Sequence, residues 1–283
     1  MQSLQDLFQI FEAAFPDIVS EPPFLIQASE DSKVGQFKGH KNSVGFLAGY
    51  SCSWMTKTCY SECYTERGRS GQDVAYMFRA RNTWGLYDYL LRKDLEGLTD
   101  RFSDLIQFSH DQYNRKVKAL KKKRTKDSKK ILKDMLRAGP MFRWMWSGDL
   151  VDPIHAMAVR DSSARHPEVT SWIYTRSFHL LQHLDPVPPN LTVWLSEDQD
   201  NKTIADGYAK AFPWVRRTTL TKLDDVPSTG VTCPENTGAL PVERACARCQ
   251  LCSHARVKEV NFIAADINTY RRDTNPALLQ IAA

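Results

Sequence analysis

From residue 142 to residue 265 the sequence alternates short apolar runs with short amphipathic ones, and this alternation constrains the fold more than any other feature. Residues 142–146 (FRWMW) read as an aromatic strand ending at Ser147-Gly148-Asp149, followed by a helix over 153–163. Strand 170–175, helix 178–184, strand 191–195, helix 203–211, strand 214–220 and a last strand 260–265 follow in turn. Strands separated by single helices at this spacing predict βαβ units and a parallel sheet. In parallel α/β architectures, open or barrelled, sites form where loops converge at the carboxyl ends of the strands. Three strand ends here carry polar residues: Ser147-Gly148-Asp149, Tyr174-Thr175-Arg176 and Ser196-Glu197-Asp198. Each taken singly is explained by a helix cap or a turn. In succession they predict a shared pocket, with Asp149, Tyr174 and Arg176 as candidate lining residues.

The upstream half reads differently. Residues 3–14 place Leu4, Leu7, Phe8 and Phe11 at helical spacing, and Pro16 closes that segment. Residues 22–51 carry the strand-like FLIQAS and FLAGY separated by Gly, Lys and Asn, so this stretch reads as extended structure with loops, and an N-terminal helix and strand are expected within 1–30. Residues 74–91 repeat apolar positions every three or four, and 95–136 holds one or two further helices. With 283 residues, 42% of them hydrophobic, the chain is long enough to bury one sizeable core, and a single domain over 1–283 is expected.

The net charge of +5 conceals an asymmetry. Residues 114–137 hold twelve Lys and Arg against Asp127 and Asp134, which leaves the rest of the chain acidic. This basic arm, within 111–138, reads either as a solvated lysine-rich helix or as an electrostatic footprint for nucleic acid, with Lys121, Lys122, Lys123 and Arg124 as its densest run. A host protein is a further partner for the same arm.

Seven cysteines fall in two groups, Cys52, Cys59, Cys63 and Cys233, Cys246, Cys249, Cys252. No apolar run approaches the roughly 18 residues a membrane span needs, and the first residues carry acids where a secretion signal carries bases. A reducing cytoplasm is therefore the expected compartment, where close-spaced cysteines bind metal or do redox chemistry rather than form lasting bridges. In the loop 233–254 the pattern C-x12-C-x2-C-x2-C supplies four thiolates, enough for a tetrahedral zinc or the corners of a cubane cluster. Three cysteines in an x2 rhythm favour iron–sulfur, most simply [4Fe–4S], over zinc. The first group supplies three thiolates, which leaves one metal position open. Spacing leaves undecided whether the groups share one centre or make two. His179-x3-His183 lacks the glutamate of a metalloprotease motif and reads as an amphipathic helix, and His254 reads as a loop histidine beside the cysteines. No dinucleotide loop, Walker loop or serine nucleophile elbow occurs.

In order, Asp31-Ser32-Lys33-Val34-Gly35, Cys52, Cys59-x3-Cys63-Tyr64, the run Arg143-Trp144-Met145-Trp146-Ser147-Gly148-Asp149, Tyr174-Thr175, Cys233-Pro234 and Cys246-x2-Cys249-x2-Cys252 resemble the bacteriophage gene product 88 family. The resemblance spans about residues 31–265. That family in turn is similar to the radical S-adenosylmethionine enzymes, which carry a Cys-Tyr loop after an early strand and a partial (βα) barrel. The resemblance implies an iron–sulfur cluster on a barrel-like core over 31–265, in a phage protein acting in the host cytoplasm. Any catalysis would then be radical or redox chemistry with the cluster as electron donor. The radical enzymes use C-x3-C-x2-C, whereas here Glu66 stands three positions beyond Cys63 and Cys52 lies upstream, a departure that weighs against S-adenosylmethionine as a ligand.

Overall fold

The computed structural model describes residues 3–63, 65, 73–123, 125–221 and 229–264. Its framework is a curled, half-barrel sheet of six parallel strands in the order β1-β2-β3-β4-β6-β5. The strands are β1 (Met141–Arg143), β2 (Thr170–Thr175), β3 (Leu191–Glu197), β4 (Arg216–Thr221), β5 (Val231–Thr232) and β6 (Glu259–Ile263). Each strand pairs in parallel with its neighbours, and β5 lies outside β6 at the sheet edge. A parallel sheet is covered on both faces, and successive side chains along a strand point to opposite ones. Phe142, Ile173, Val193 and Leu195 accordingly enter the main core, while Met141, Trp172, Trp194 and Val260 enter a second, smaller core with Val34, Ala138, Cys233 and Ala247.

The helices in chain order are α1 (Leu4–Ala14), α2 (Pro16–Val19), α3 (Lys57–Ser61), α4 (Asp73–Leu91), α5 (Leu95–Lys122), α6 (Lys126–Ala138), α7 (Pro153–Arg165), α8 (Lys202–Ala211) and α9 (Ala245–Cys249). Local signals explain where several of them start. Ser3 and Asp6 form a reciprocal capping box on α1, Asp152 caps α7 ahead of Pro153, and Thr125 caps α6 through Ser128 N. The expected helix at 178–184 is a 3-10 helix over Phe178–His183. In it His179 lies against Trp54, with ring centroids 5.1 Å apart.

Helix α5 buries Leu98, Phe102, Leu105 and Ile106 along one stripe against the main core. Its second half leaves that core. Tyr113 and Leu120 then pack with Met135 of α6, so the two helices form a hairpin with its own small apolar seam. The arm expected at 111–138 is this hairpin, broken between the helices near Lys123.

The strand expected within 1–30 does not form, whereas 22–51 is extended structure with loops as expected. FLIQAS and FLAGY run extended or in turns, with only isolated bridges at Ser29–Ser43 and Ser43–Arg143. Side chains have taken the backbone groups that a sheet would need. The Asn82 amide accepts from Gln27 N and donates to Gln27 O, both at 2.9 Å, and Arg101 Nε donates to Ile26 O at 2.7 Å. Further along, residues 42–44 lie beside β1, where Arg143 N donates to Asn42 O and Val44 N to Arg143 O. No described helix is long and apolar enough to cross a membrane.

Candidate functional site

The inner face of the sheet opens into a cavity of about 990 Å³. Trp172, Tyr174, Ser196, Thr218, Leu220 and Phe262 supply its floor, and the strand ends Ser147-Gly148-Asp149 and Arg176 supply one wall. All seven cysteines line it. No two of them are joined by a disulfide.

The first cysteine group is held by the loops after β1, β2 and β3. Thr56 starts α3 by accepting from Cys59 N at 3.0 Å, and its hydroxyl donates to Asp198 Oδ2 at 2.6 Å. Asp200 accepts from Thr58 N at 2.8 Å, so the segment after β3 clamps the short helix that presents Cys59. Cys52 Sγ accepts from Gly49 N at 3.4 Å, and Cys63 Sγ lies 3.2 Å from Thr65 Oγ1. The three polar strand ends meet here in one buried network. Asp149 accepts from Thr175 Oγ1 and Arg176 N, each at 2.7 Å, and Arg176 Nη1 donates to Asp198 Oδ2 at 2.6 Å. The Arg176 guanidinium also favours the ionised form of Cys59 through its charge. Glu197, by contrast, turns away to Arg217 at 2.6 Å and Thr219 at 2.9 Å. Gly148, at φ +80°, is required, since a Cβ there would run into Ser51 Oγ.

The second group hangs on the edge of the sheet and on residues 31–35. Cys233 N donates to Asn261 O of β6 at 2.9 Å. Arg244 N donates to Ser32 O at 2.9 Å and Cys246 N to Lys33 O at 3.0 Å, which docks α9 against the Asp31–Gly35 turn. Arg244 and Gln250, flanking α9, both take left-handed backbone at φ 60° and 61°. This tightens the loop so that the C-x2-C-x2-C run returns to the same wall. Trp194 Nε1 donates to Cys252 O at 3.1 Å, and Tyr174 lines the cavity together with Cys252. His254 bonds Ser253 at 2.9 Å and does not line the cavity.

Burial dominates the electrostatics. It pushes the Cys59 thiol up to about 11, with Arg176 opposing, and Cys252 up to about 12, with Tyr174 opposing. Cys52, Cys246 and Cys249 are also raised, first by burial and further by neighbouring sulfurs. Burial works against the Lys33 ammonium, but Cys233 and Glu235 outweigh it and raise its pKa. Burial raises the Asp149 carboxyl against the hydrogen bonds it receives. Among the described residues, no three His, Cys, Asp or Glu side chains stand together at ligating distance. The donor set nonetheless suits a soft metal centre: seven thiols, with Lys33 and Arg176 available to offset thiolate charge.

Of the residues singled out from sequence, Asp149, Tyr174, Arg176 and the cysteines come together at the cavity. Lys121, Lys122 and Lys123 do not; they sit exposed at the far end of the hairpin. Arg124, Tyr64 and Glu66 lie outside the described residues. Sequence reasoning assigned no role to Lys33, Thr56 or Arg143. Asp31, which pairs with Arg143 at 3.3 Å, and Lys33 were visible only as part of a family motif, and Thr56 is a cap signal one turn before a cysteine.

A family model for gene product 88 matches residues 25–256, a span that contains both cysteine groups, the basic hairpin and strands β1 to β5. The chain belongs to the gene product 88 family. It is 28% identical over 232 residues to the gene 88 protein of Mycobacterium phage L5, covering 77% of this chain and 85% of that protein. The gene 88 protein of Mycobacterium phage D29 is 29% identical over 239 residues, covering 79% and 87% respectively. No solved structure matches the chain.

Proposed function

We propose that this family member is an iron–sulfur protein whose cysteines ligate at the inner face of the half-barrel. The observation that carries this reading is the convergence of all seven thiols, from two distant parts of the chain, on one cavity at the strand ends. Seven thiols are a poor way to build an apolar wall, and around Cys52, Cys246 and Cys249 neighbouring sulfurs raise the cost of ionisation further. The donors are all sulfur, and the x2 rhythm of Cys246, Cys249 and Cys252 matches cubane ligation better than a paired zinc knuckle. Closing on a centre requires the thiols to move inward from where the wall now holds them.

When bound, an iron–sulfur cluster supplies one-electron transfer. The chain's own contribution is local. Arg176 and Lys33 offset thiolate charge on the two sides of the cavity, Tyr174 eases ionisation of Cys252, and Asp149 holds the turn that carries Arg176. The half-barrel with cysteines at its strand ends supports kinship with the radical S-adenosylmethionine enzymes, and the glutamate at position 66 speaks against their cofactor here. A reducing host cytoplasm suits thiols held apart from disulfides.

Anaerobic purification with iron, sulfide and zinc quantified tests the reading. Brown protein with iron and acid-labile sulfide is expected, and both should fall in Cys59→Ala or Cys249→Ala. Colourless protein with stoichiometric zinc and no iron would show a zinc centre instead.

A further inference from the structure

The function proposed above does not use the α5–α6 hairpin, which has three properties a floppy lysine tail lacks. It is folded on its own seam, with Tyr113, Leu120 and Met135 buried between the helices and the Tyr113 hydroxyl donating to Met135 O at 3.1 Å. It is seated firmly. Gln36 Nε2 donates to Gly139 O at 2.8 Å, and Arg137 Nη2 donates to Arg248 O of the cysteine loop at 2.9 Å. Its charge is presented outward. Arg115, Lys118 and Lys122 recur on one exposed face of α5, and Lys126, Lys129 and Lys133 on an exposed face of α6.

Little within the chain neutralises this charge. Among the described residues, Arg137 is the only base of the hairpin in an ion pair, and its partner Asp134, at 3.9 Å, is shared with Arg248 at 3.6 Å. Lys116 lies over the Phe37 ring at 5.1 Å. Like charges one turn apart along both helices repel, so the arrangement is relieved when a polyanion lies against it. We propose that the α5–α6 hairpin is a docking surface for the phosphate backbone of duplex nucleic acid.

The side chains also say how it would read its ligand. Residues 114–137 contain no Phe, Trp or Tyr, so nothing on the hairpin can stack on an unpaired base. The exposed groups are almost all Lys and Arg, which reach phosphates from a helix surface without selecting a base sequence. Binding should therefore be independent of sequence, no weaker for duplex than for single strand, and strongly dependent on salt. With about five phosphate contacts, log K falls with log salt at a slope of about −4.5, a loss of roughly 500-fold between 50 and 200 mM salt.

Fluorescence anisotropy of the full chain with a labelled duplex DNA of arbitrary sequence, across that salt range, tests this directly. The variant Lys121→Glu, Lys122→Glu, Lys123→Glu should lower the slope to about −2 and weaken binding at the lowest salt. A control with the same charge change elsewhere, Lys202→Glu, Lys210→Glu, Lys258→Glu, should keep the wild-type slope. Poly-glutamate serves as the protein-like polyanion. The inference is overturned if the wild-type chain fails to bind duplex at 50 mM salt, if the hairpin variant binds as the wild type does, or if poly-glutamate is bound and duplex is not. Circular dichroism of the variant separates lost contact from lost folding. Neither the presence nor the absence of iron in the preparation alters these outcomes.

Discussion

The cysteine loop at 233–252 and the hairpin at 114–137 are both short stretches dense in one kind of side chain, yet the fold treats them in opposite ways. The cysteine loop is folded inward until four thiols share a wall with three others, and burial holds Cys246, Cys249 and Cys252 against ionisation. The hairpin is folded outward, with its lysines in water and only its apolar seam covered. The two meet at Arg248, between Cys246 and Cys249, whose backbone oxygen accepts from Arg137 and whose guanidinium pairs with Asp134. Grouping thiols in one cavity is tolerable because they stay neutral until a metal displaces their protons. Grouping ammonium ions is tolerable only because water and salt screen them.

The largest difference between the two regions should appear in pH dependence. Thiols with raised pKa values are protonated at neutral pH, so each one that ligates must release a proton, and metal affinity rises with pH. Four ligating thiols give up to about 10⁴-fold per pH unit below their pKa values. Titrating zinc or iron into apoprotein against a competing chelator at several pH values measures this. Affinity that is flat with pH would mean the ligating thiols are already ionised, against the raised values that burial gives them. Duplex binding by the hairpin should change little over the same interval.

The next contrast is in stability. Asp198→Ala removes the partner of a fully buried Arg176 and frees the Thr56 cap, and should cost about 3–5 kcal/mol in urea unfolding. A loss under 1 kcal/mol would show that the network at the strand ends does not hold the first cysteine group. The smallest effect belongs to the hairpin. Reversing Lys121, Lys122 and Lys123 should shift stability by no more than about 0.5 kcal/mol, because exposed side chains with no buried partner are being changed.

Much of this architecture was legible beforehand. The alternation of apolar runs and helical stretches placed strand 170–175 with its observed bounds and β1, β3, β4 and β6 within a few residues, but not the two-residue edge strand β5. Shared placement of three polar strand ends also followed, since parallel strands deliver their carboxyl ends to one side. The pairing of the segment at 24–29 was not legible. Its composition is strand-like, but whether Gln27 pairs with a neighbouring strand or with the Asn82 amide depends on a residue 55 positions away. The same holds for Lys33 beside the cysteine loop.

By itself the sequence determined most of the helices and the five longer strands, that the cysteines form two groups, and that one arm carries the charge, because periodicity, spacing and charge density are local properties. Only the tertiary structure decided that both cysteine groups share one cavity, that Arg176 and Lys33 face them, and that the basic arm is a rigid hairpin seated on the cysteine loop. Those are contacts between residues far apart in the chain, and they exist only once the curl of the sheet has brought its edges and loops around one hollow.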